Sequence, residues 1–217
     1  MHPFHDSSAD PPVRGFLHEP AGSSPSAALV LTHGAGANCE APLLVALAEA
    51  FSAAGLAVLR CDLPFRQLRP HGPPFNSAKQ DQAGLRAAVE SLRRTLAPAR
   101  IYLGGHSYGG RQVTMLAAAQ PDVTDALLLL SYPLHPPRKP EQLRTQHFPQ
   151  LRTPALFVHG ARDPFGSPDE LTAALALIPS RTQWVPIAAA GHELLTKTNR
   201  ATLPRQIVET FFAFVAG

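Results

Sequence analysis

Two cysteines in 217 residues, Cys39 and Cys61, are too few for a disulfide-built scaffold or a cysteine zinc site. Lysine is nearly as scarce. The 19 basic residues include only Lys79, Lys139 and Lys197, so the rest of the positive charge is arginine. No basic run exists and the net charge is only +3, which excludes the basic stripe that nucleic-acid binding needs. Charged residues make up just 16% against 45% hydrophobic, which excludes a mainly disordered chain. There is no Gly-Lys-Ser/Thr phosphate loop, and no His, Asp or Glu pair at helical metal-binding spacing. A membrane span is missing as well. The longest largely apolar stretch, residues 41–59, holds Glu49 and Gly55 and reads as a helix followed by a strand. Residues 1–12 are polar and carry three prolines, which predicts a flexible tail rather than an export leader. Together these absences point to a cytoplasmic protein with free thiols.

What is present is one domain over residues 13–217, built of alternating short apolar runs and helical spacings. Strands are expected at 27–32, 56–60, 100–104, 126–131, 155–159 and 183–187. Helices are expected at 40–54, 77–96, 108–119, 167–177 and 203–215. Ser77 with Gln80, and Ser167 with Glu170, have the spacing of capping boxes. Strands that are apolar on both faces imply a mostly parallel sheet with helices on both sides. Two proline-rich loops, 62–76 and 132–151, follow strand ends, where open α/β sheets build their sites. The second is long enough for a small flap.

The strongest local signal is Gly105-His106-Ser107-Tyr108-Gly109, between a predicted strand and a predicted helix. That context suits a nucleophile elbow: a strained turn that presents a serine at a helix N-terminus, with small neighbours where the backbone crowds. A serine needs a base, and the base needs an orienting carboxylate. In this topology they follow in the order serine, acid, histidine. Asp163 comes just after the strand 155–159, and His192 alone among ten histidines lies between the last strand and the last helix. Asp62 precedes the serine, Asp122 and Asp125 lie at the wrong sheet edge, and Asp169 sits in a helix first turn. His33 and His159 precede glycines and are expected to shape turns, with His106 packed under the nucleophile. His71, His135 and His147 lie in the loops facing the site.

Acyl transfer also needs two N–H donors for the developing oxyanion. Tyr108 should supply one. Ala35, or else Gly36, should supply the other from the loop 32–38. That loop also partly matches G-x-G-x-x-G, with Asp62 placed as a ribose-binding acid, but Cys39 stands where the third glycine belongs. For the substrate, Phe65, Tyr132, Leu134 and Phe148 are expected to wall an acyl pocket. Arg66 and Arg69 are candidates for gripping a substrate carboxylate. Arg111 is expected to anchor nearby carbonyls.

These residues resemble the α/β-hydrolase fold family. The stretches 31–36, 107–111, 130–136 and 157–160 resemble its small dienelactone-hydrolase-like branch, bacterial proteins whose animal relatives include testis-expressed protein 30 and the hydrolase-like region of non-specific lethal complex subunit 3. The resemblance implies a three-layer α/β-hydrolase fold: a twisted, mostly parallel sheet of about seven or eight strands, trimmed at its N-terminal end, without a large lid domain. It implies Ser107, Asp163 and His192 as a catalytic triad. Dienelactone hydrolases proper use a cysteine where this chain has Ser107, which argues against that reaction. The expectation is a serine esterase acting on a small-molecule ester of short or medium acyl chain. It would be a monomer or homodimer needing no cofactor or metal, with no nucleic-acid or membrane partner. The alternative is a non-catalytic hydrolase-like scaffold used for binding.

Overall fold

The protein is described by a computed structural model covering residues 1–22, 25–75 and 78–217. In chain order its elements are β1 (His2–Asp6), β2 (Val13–His18), β3 (Ala27–Thr32), α1 (Pro42–Ala53), β4 (Ala57–Cys61), α2 (Pro64–Leu68), α3 (Ala78–Leu96), β5 (Arg100–His106), α4 (Tyr108–Ala119), β6 (Ala126–Leu130), β7 (Ala155–Gly160), α5 (Pro168–Leu175), β8 (Thr182–Ile187) and α6 (Leu203–Ala216). The eight strands form one sheet in the order β1-β2-β4-β3-β5-β6-β7-β8. β1 and β2 are antiparallel to their neighbours, and every pairing from β4 to β8 is parallel. Both faces are covered, as strands apolar on both sides require. In β3, Ala28 and Val30 join the core under α3 and α4, while Leu29 and Leu31 join the core under α1 and α6. In β6, Leu127 and Leu129 face one way, Leu128 and Leu130 the other.

The helices dock by the apolar stripes their sequences carry. α3 buries Leu85, Val89 and Leu92, and α1 buries Leu44, Leu47 and Phe51. α6 closes the second layer with Phe211, whose ring meets Phe51 and Tyr102 edge-on at 5.7 and 5.2 Å. Losing such a buried ring costs about 3–5 kcal/mol. The expected capping box at the start of α5 is present: Glu170 N–H donates to Ser167 Oγ, and Ser167 N–H donates to the Glu170 carboxylate. The Ser77 box lies outside the described residues. Cys39 and Cys61 are both free and buried. Among the described residues no helix is long and apolar enough to cross a membrane.

Four features differ from expectation, the first being β2, a strand at Val13–His18 where none was expected. The predicted flexible tail instead contains β1, which pairs along β2 from His2 to Asp6 and completes the sheet edge, so the sheet is not trimmed. Asp6 fastens it to α3, accepting from Ser91 Oγ at 2.6 Å and Arg94 Nη2 at 2.7 Å. The turn α2 inside the loop 62–76 carried no helical period because it is only five residues long. The loop 132–151 is not a flap over the cleft. Its Tyr132, Leu134, Phe148 and Leu151 are buried in the core on the α4 side.

Candidate active site

The elbow forms where β5 turns directly into α4. Ser107 sits at φ 51°, ψ −116°. A non-glycine residue with positive φ is strained, at a cost of about 1–3 kcal/mol. The surrounding turn leaves no room for side chains. A Cβ on Gly105 would stand 2.6 Å from the Gly109 carbonyl carbon, and one on Gly109 would stand 2.5 Å from His33 O. The strain is held by backbone bonds on both sides: Ser107 N–H donates to Leu130 O at 2.8 Å, and Arg111 N–H donates to Ser107 O at 3.0 Å.

Ser107 Oγ lies 2.7 Å from His192 Nε2, and His192 Nδ1 lies 2.8 Å from Asp163 Oδ2. The loops bearing the acid and the histidine are docked on each other. Ala161 N–H donates to Ile187 O and Arg162 N–H to Ala190 O, at 3.1 and 3.0 Å. The Asp163 side chain is fully buried, and its Oδ1 accepts from Phe165 N–H at 2.9 Å. Burial alone would raise its pKa. The hydrogen bond and charge of His192, the Phe165 N–H and the charge of His159 outweigh burial and hold the carboxyl below its ordinary value. Asp163 is therefore ionised at neutral pH and can only accept, so His192 carries its proton on Nδ1. Its Nε2 is then the acceptor for the Ser107 hydroxyl.

His192 is gripped on three sides. Phe165 packs on its ring at 4.3 Å between centroids, and the His106 ring lies 5.2 Å away. His106 Nε2 donates to the His192 carbonyl at 2.9 Å, in keeping with the expectation that this histidine packs under Ser107. Burial holds His106 neutral by lowering its pKa. His33 and His159 shape their turns: His33 Nδ1 donates to Gly34 O and accepts Leu63 N–H at Nε2, and His159 Nε2 donates to Gly166 O.

Among the described residues, the N–H groups of Ala35, Gly36 and Tyr108 donate to no protein acceptor. Ala35 and Gly36 line the same cleft as Ser107. The loop that carries them is pinned by Arg66, which the sequence suggested as a carboxylate grip. The structure corrects that. The side chain is buried, with Nε donating to Ala37 O at 2.8 Å, and Nη2 donating to Ala35 O at 2.7 Å and Gly72 O at 3.0 Å. Nη1 donates to Arg69 O at 3.1 Å. Four of its five N–H donors go to backbone carbonyls, and the side chain lines no part of the cleft. Arg66→Ala should therefore cost about 2–4 kcal/mol. Scanning calorimetry would read that as a midpoint lower by roughly 5–15 °C for a domain this size.

The cleft over Ser107 has a volume of about 600 Å³. One wall is the loop 34–37 and the start of α1, with Leu43 and Leu44. The other is Phe165, Glu193, Leu195 and Arg200. The expected pocket walls are elsewhere. Phe65, Tyr132, Leu134 and Phe148 are all buried and line no part of the cleft. Phe65 packs on Tyr108 at 5.7 Å, and Tyr132 on Phe148 at 5.2 Å. Large rings after strand ends fill the gap beneath α3 and α4, where they gain more than on an open rim. Arg69 is exposed and lies over Phe75, 5.7 Å from its centroid, away from the cleft. His135 and His147 also turn away, bonding Pro136 O and Thr114 Oγ1, and His71 is exposed outside the cleft. Asp62 is a loop clamp: its Oδ1 accepts Cys39 N–H at 2.7 Å. Arg111 anchors no carbonyl through its side chain among the described residues. Among those residues no group of three or more His, Cys, Asp and Glu is placed to hold a metal ion.

The whole-chain comparisons agree with this architecture. Est1E from Butyrivibrio proteoclasticus superposes with a TM-score of 0.78 at 18% identity, covering 100% of both chains. An alpha-beta serine hydrolase homologue from Coxiella burnetii gives 0.77 at 18% identity, over 97% of this chain and 98% of the other. A dienelactone hydrolase from Anabaena variabilis gives 0.74 at 21% identity, covering 99% of each. Residues 25–215 match the family described as "Alpha/beta hydrolase domain". With that match across most of its length, the chain belongs to the α/β-hydrolase domain family.

Proposed function

We propose that this protein is a serine esterase cleaving carboxylic esters of small or medium acyl groups, in the manner of the dienelactone-hydrolase-like branch. The observation that carries the reading is the unbroken hydrogen-bond chain from Ser107 Oγ through His192 to the buried Asp163, opening on a cleft beside unpaired N–H groups. Ser107 Oγ attacks the ester carbonyl carbon while its proton passes to His192 Nε2. The carbonyl oxygen becomes an oxyanion, which Tyr108 N–H and Ala35 N–H stabilise, with Gly36 N–H adjacent. The C–O bond to the leaving group then breaks, and His192 returns the proton to the departing alcohol. Water attacks the acyl-enzyme by the same route, again giving its proton to His192. The Ser107 oxygen is expelled and reprotonated, and the carboxylic acid leaves.

The apolar wall of Leu43, Leu44 and Leu195 suits a short to medium acyl chain, and 600 Å³ lies within the ordinary range of small-molecule sites. Thioesters, lactones and amides share the same chemistry. The test is labelling of the purified protein with a fluorophosphonate, mapped by peptide mass spectrometry, beside turnover of p-nitrophenyl acetate and butyrate. The expected result is a single adduct on the peptide bearing Ser107, with turnover of both esters. Folded protein that takes no label and turns over neither ester would be a binding scaffold instead.

A further inference from the structure

Among the described residues, Asp81 is the one buried carboxyl outside the triad. It stands in the first turn of α3 and lines no part of the cleft. No Lys, Arg or His nitrogen among those residues comes within 4.0 Å of it. Two uncharged donors hold it instead. Oδ2 accepts Tyr108 OH at 2.7 Å, and Oδ1 accepts Phe65 N–H at 3.2 Å. Burial raises the Asp81 pKa, against the pull of those two bonds. A buried carboxylate without a counter-ion works against stability. Groups of that kind gather at functional sites.

Each of the two donors leads to one arm of the oxyanion site. Tyr108 is the first residue of α4, and its backbone N–H is one of the unpaired donors. Phe65 lies in α2, and the next residue, Arg66, holds the other arm. That grip runs to Ala35 O at 2.7 Å and Ala37 O at 2.8 Å. α2 is wedged between the arms. Leu63 N–H, at its start, donates to His33 Nε2 at 3.1 Å. The Phe65 ring meets the His33 ring at 5.6 Å and the Tyr108 ring at 5.7 Å. α2 also lies tight against α3. A Cβ on Gly84, one turn after Asp81, would stand 2.5 Å from the Pro64 ring.

We propose that Asp81 is a positioning residue for the oxyanion site. Its one carboxyl ties the start of α4 to α2, and so fixes the Tyr108 N–H relative to the Ala35 and Gly36 N–H groups. Such donors work by standing in place before the charge develops. A misplacement of about 1 Å can cost about 100-fold in rate, even when its cause lies far from the chemistry. Asp81 touches no substrate and acts through its two donors. The inference rests on the esterase reading, because it concerns the oxyanion which that reaction forms.

The experiment is p-nitrophenyl butyrate kinetics on the full chain, with active sites counted by fluorophosphonate labelling taken to completion. Counting sites keeps a loss of folded protein out of kcat. The variants are Asp81→Leu, Asp81→Asn, Tyr108→Phe and the double variant Asp81→Leu/Tyr108→Phe. Inhibition by butaneboronic acid, whose tetrahedral adduct fills the oxyanion site, is measured beside them. Asp81→Leu should lower kcat about 10–100-fold with KM within about twofold, and weaken the boronic acid by the same factor. Tyr108→Phe removes one oxygen and keeps the ring packing, and should lower kcat about tenfold. The double variant should be no slower than Asp81→Leu, since both changes break one linkage. Asp81→Asn should stay within about threefold of wild type: its amide oxygen can accept Phe65 N–H while its NH₂ donates to the Tyr108 hydroxyl oxygen. Wild-type kcat in folded Asp81→Leu or in Tyr108→Phe would overturn the inference, and Tyr108→Phe decides it where Asp81→Leu does not fold. So would a boronic acid affinity that does not follow kcat, or Asp81→Asn as slow as Asp81→Leu. A wild type that neither labels nor turns over ester is a different outcome. It removes the esterase reading itself, and this inference with it.

Discussion

Replacing Ser107 with alanine should lower ester turnover by about six orders of magnitude while the protein stays folded. The serine oxygen is the only atom removed, and its bond to a protein group is the one to His192 Nε2. The Cβ remains, so the positive-φ turn is neither relieved nor further strained. The backbone bonds to Leu130 and Arg111 that hold the turn are untouched. Losing one side-chain hydrogen bond is worth about 1 kcal/mol, or roughly 2–4 °C in a chain of this length. Among the described residues that line the cleft, Ser107 is the one with a hydroxyl or thiol. Cys39 is buried and excluded from the cleft lining, and burial with the nearby Asp62 pushes its thiol up to about 12, so it carries almost no thiolate at neutral pH. Paired calorimetry and p-nitrophenyl acetate kinetics would check both halves. Turnover above about a hundredth of wild type in a folded variant would remove Ser107 from the reaction.

The sheet and the site were legible to different depths, for physical reasons. β3, β5, β6 and β7 announced themselves because central parallel strands are apolar on both faces. β1 did not, because an edge strand such as His-Pro-Phe-His-Asp needs only Phe4 to touch the core and keeps the polar character of a loop. Ser107, Asp163 and His192 could be placed because each follows a strand end in fixed topological order, and the structure brings them within hydrogen-bond distance. The pocket walls could not. Whether an aromatic residue in a proline-rich loop faces the cleft or the core depends on which way the loop folds, and nothing local in Phe65 or Phe148 records it. Phe165 went unnoticed for the same reason, although its position two residues after the acid was a usable signal. Arg66 shows the converse error. Arginine is as good a clamp for backbone carbonyls as for a carboxylate, and only three-dimensional neighbours decide between them.

Asp163→Asn should lower kcat by about 10⁴, near 5 kcal/mol of transition-state stabilisation, with little change in KM. The argument turns on which atom of the new amide faces His192. Phe165 N–H donates to Oδ1 at 2.9 Å, so the amide oxygen must stay on that side. The NH₂ group is then forced onto His192 Nδ1, 2.8 Å away. A donor in that place demands an unprotonated Nδ1, which puts the imidazole proton on Nε2. Ser107 Oγ would then face a donor instead of a base, although every heavy atom keeps its position. The alternative amide orientation opposes two donors at Phe165 and is disfavoured. His159 Nε2, 3.7 Å from Oδ2 and already donating to Gly166 O, cannot supply the missing acceptor. Charge adds to geometry, since the imidazolium formed during attack loses its buried counter-ion. A loss smaller than tenfold, with the fold intact by circular dichroism, would mean that Asp163 neither fixes the tautomer nor stabilises the imidazolium. Its burial and lowered pKa would then serve only to dock the loop after β7 onto the loop after β8.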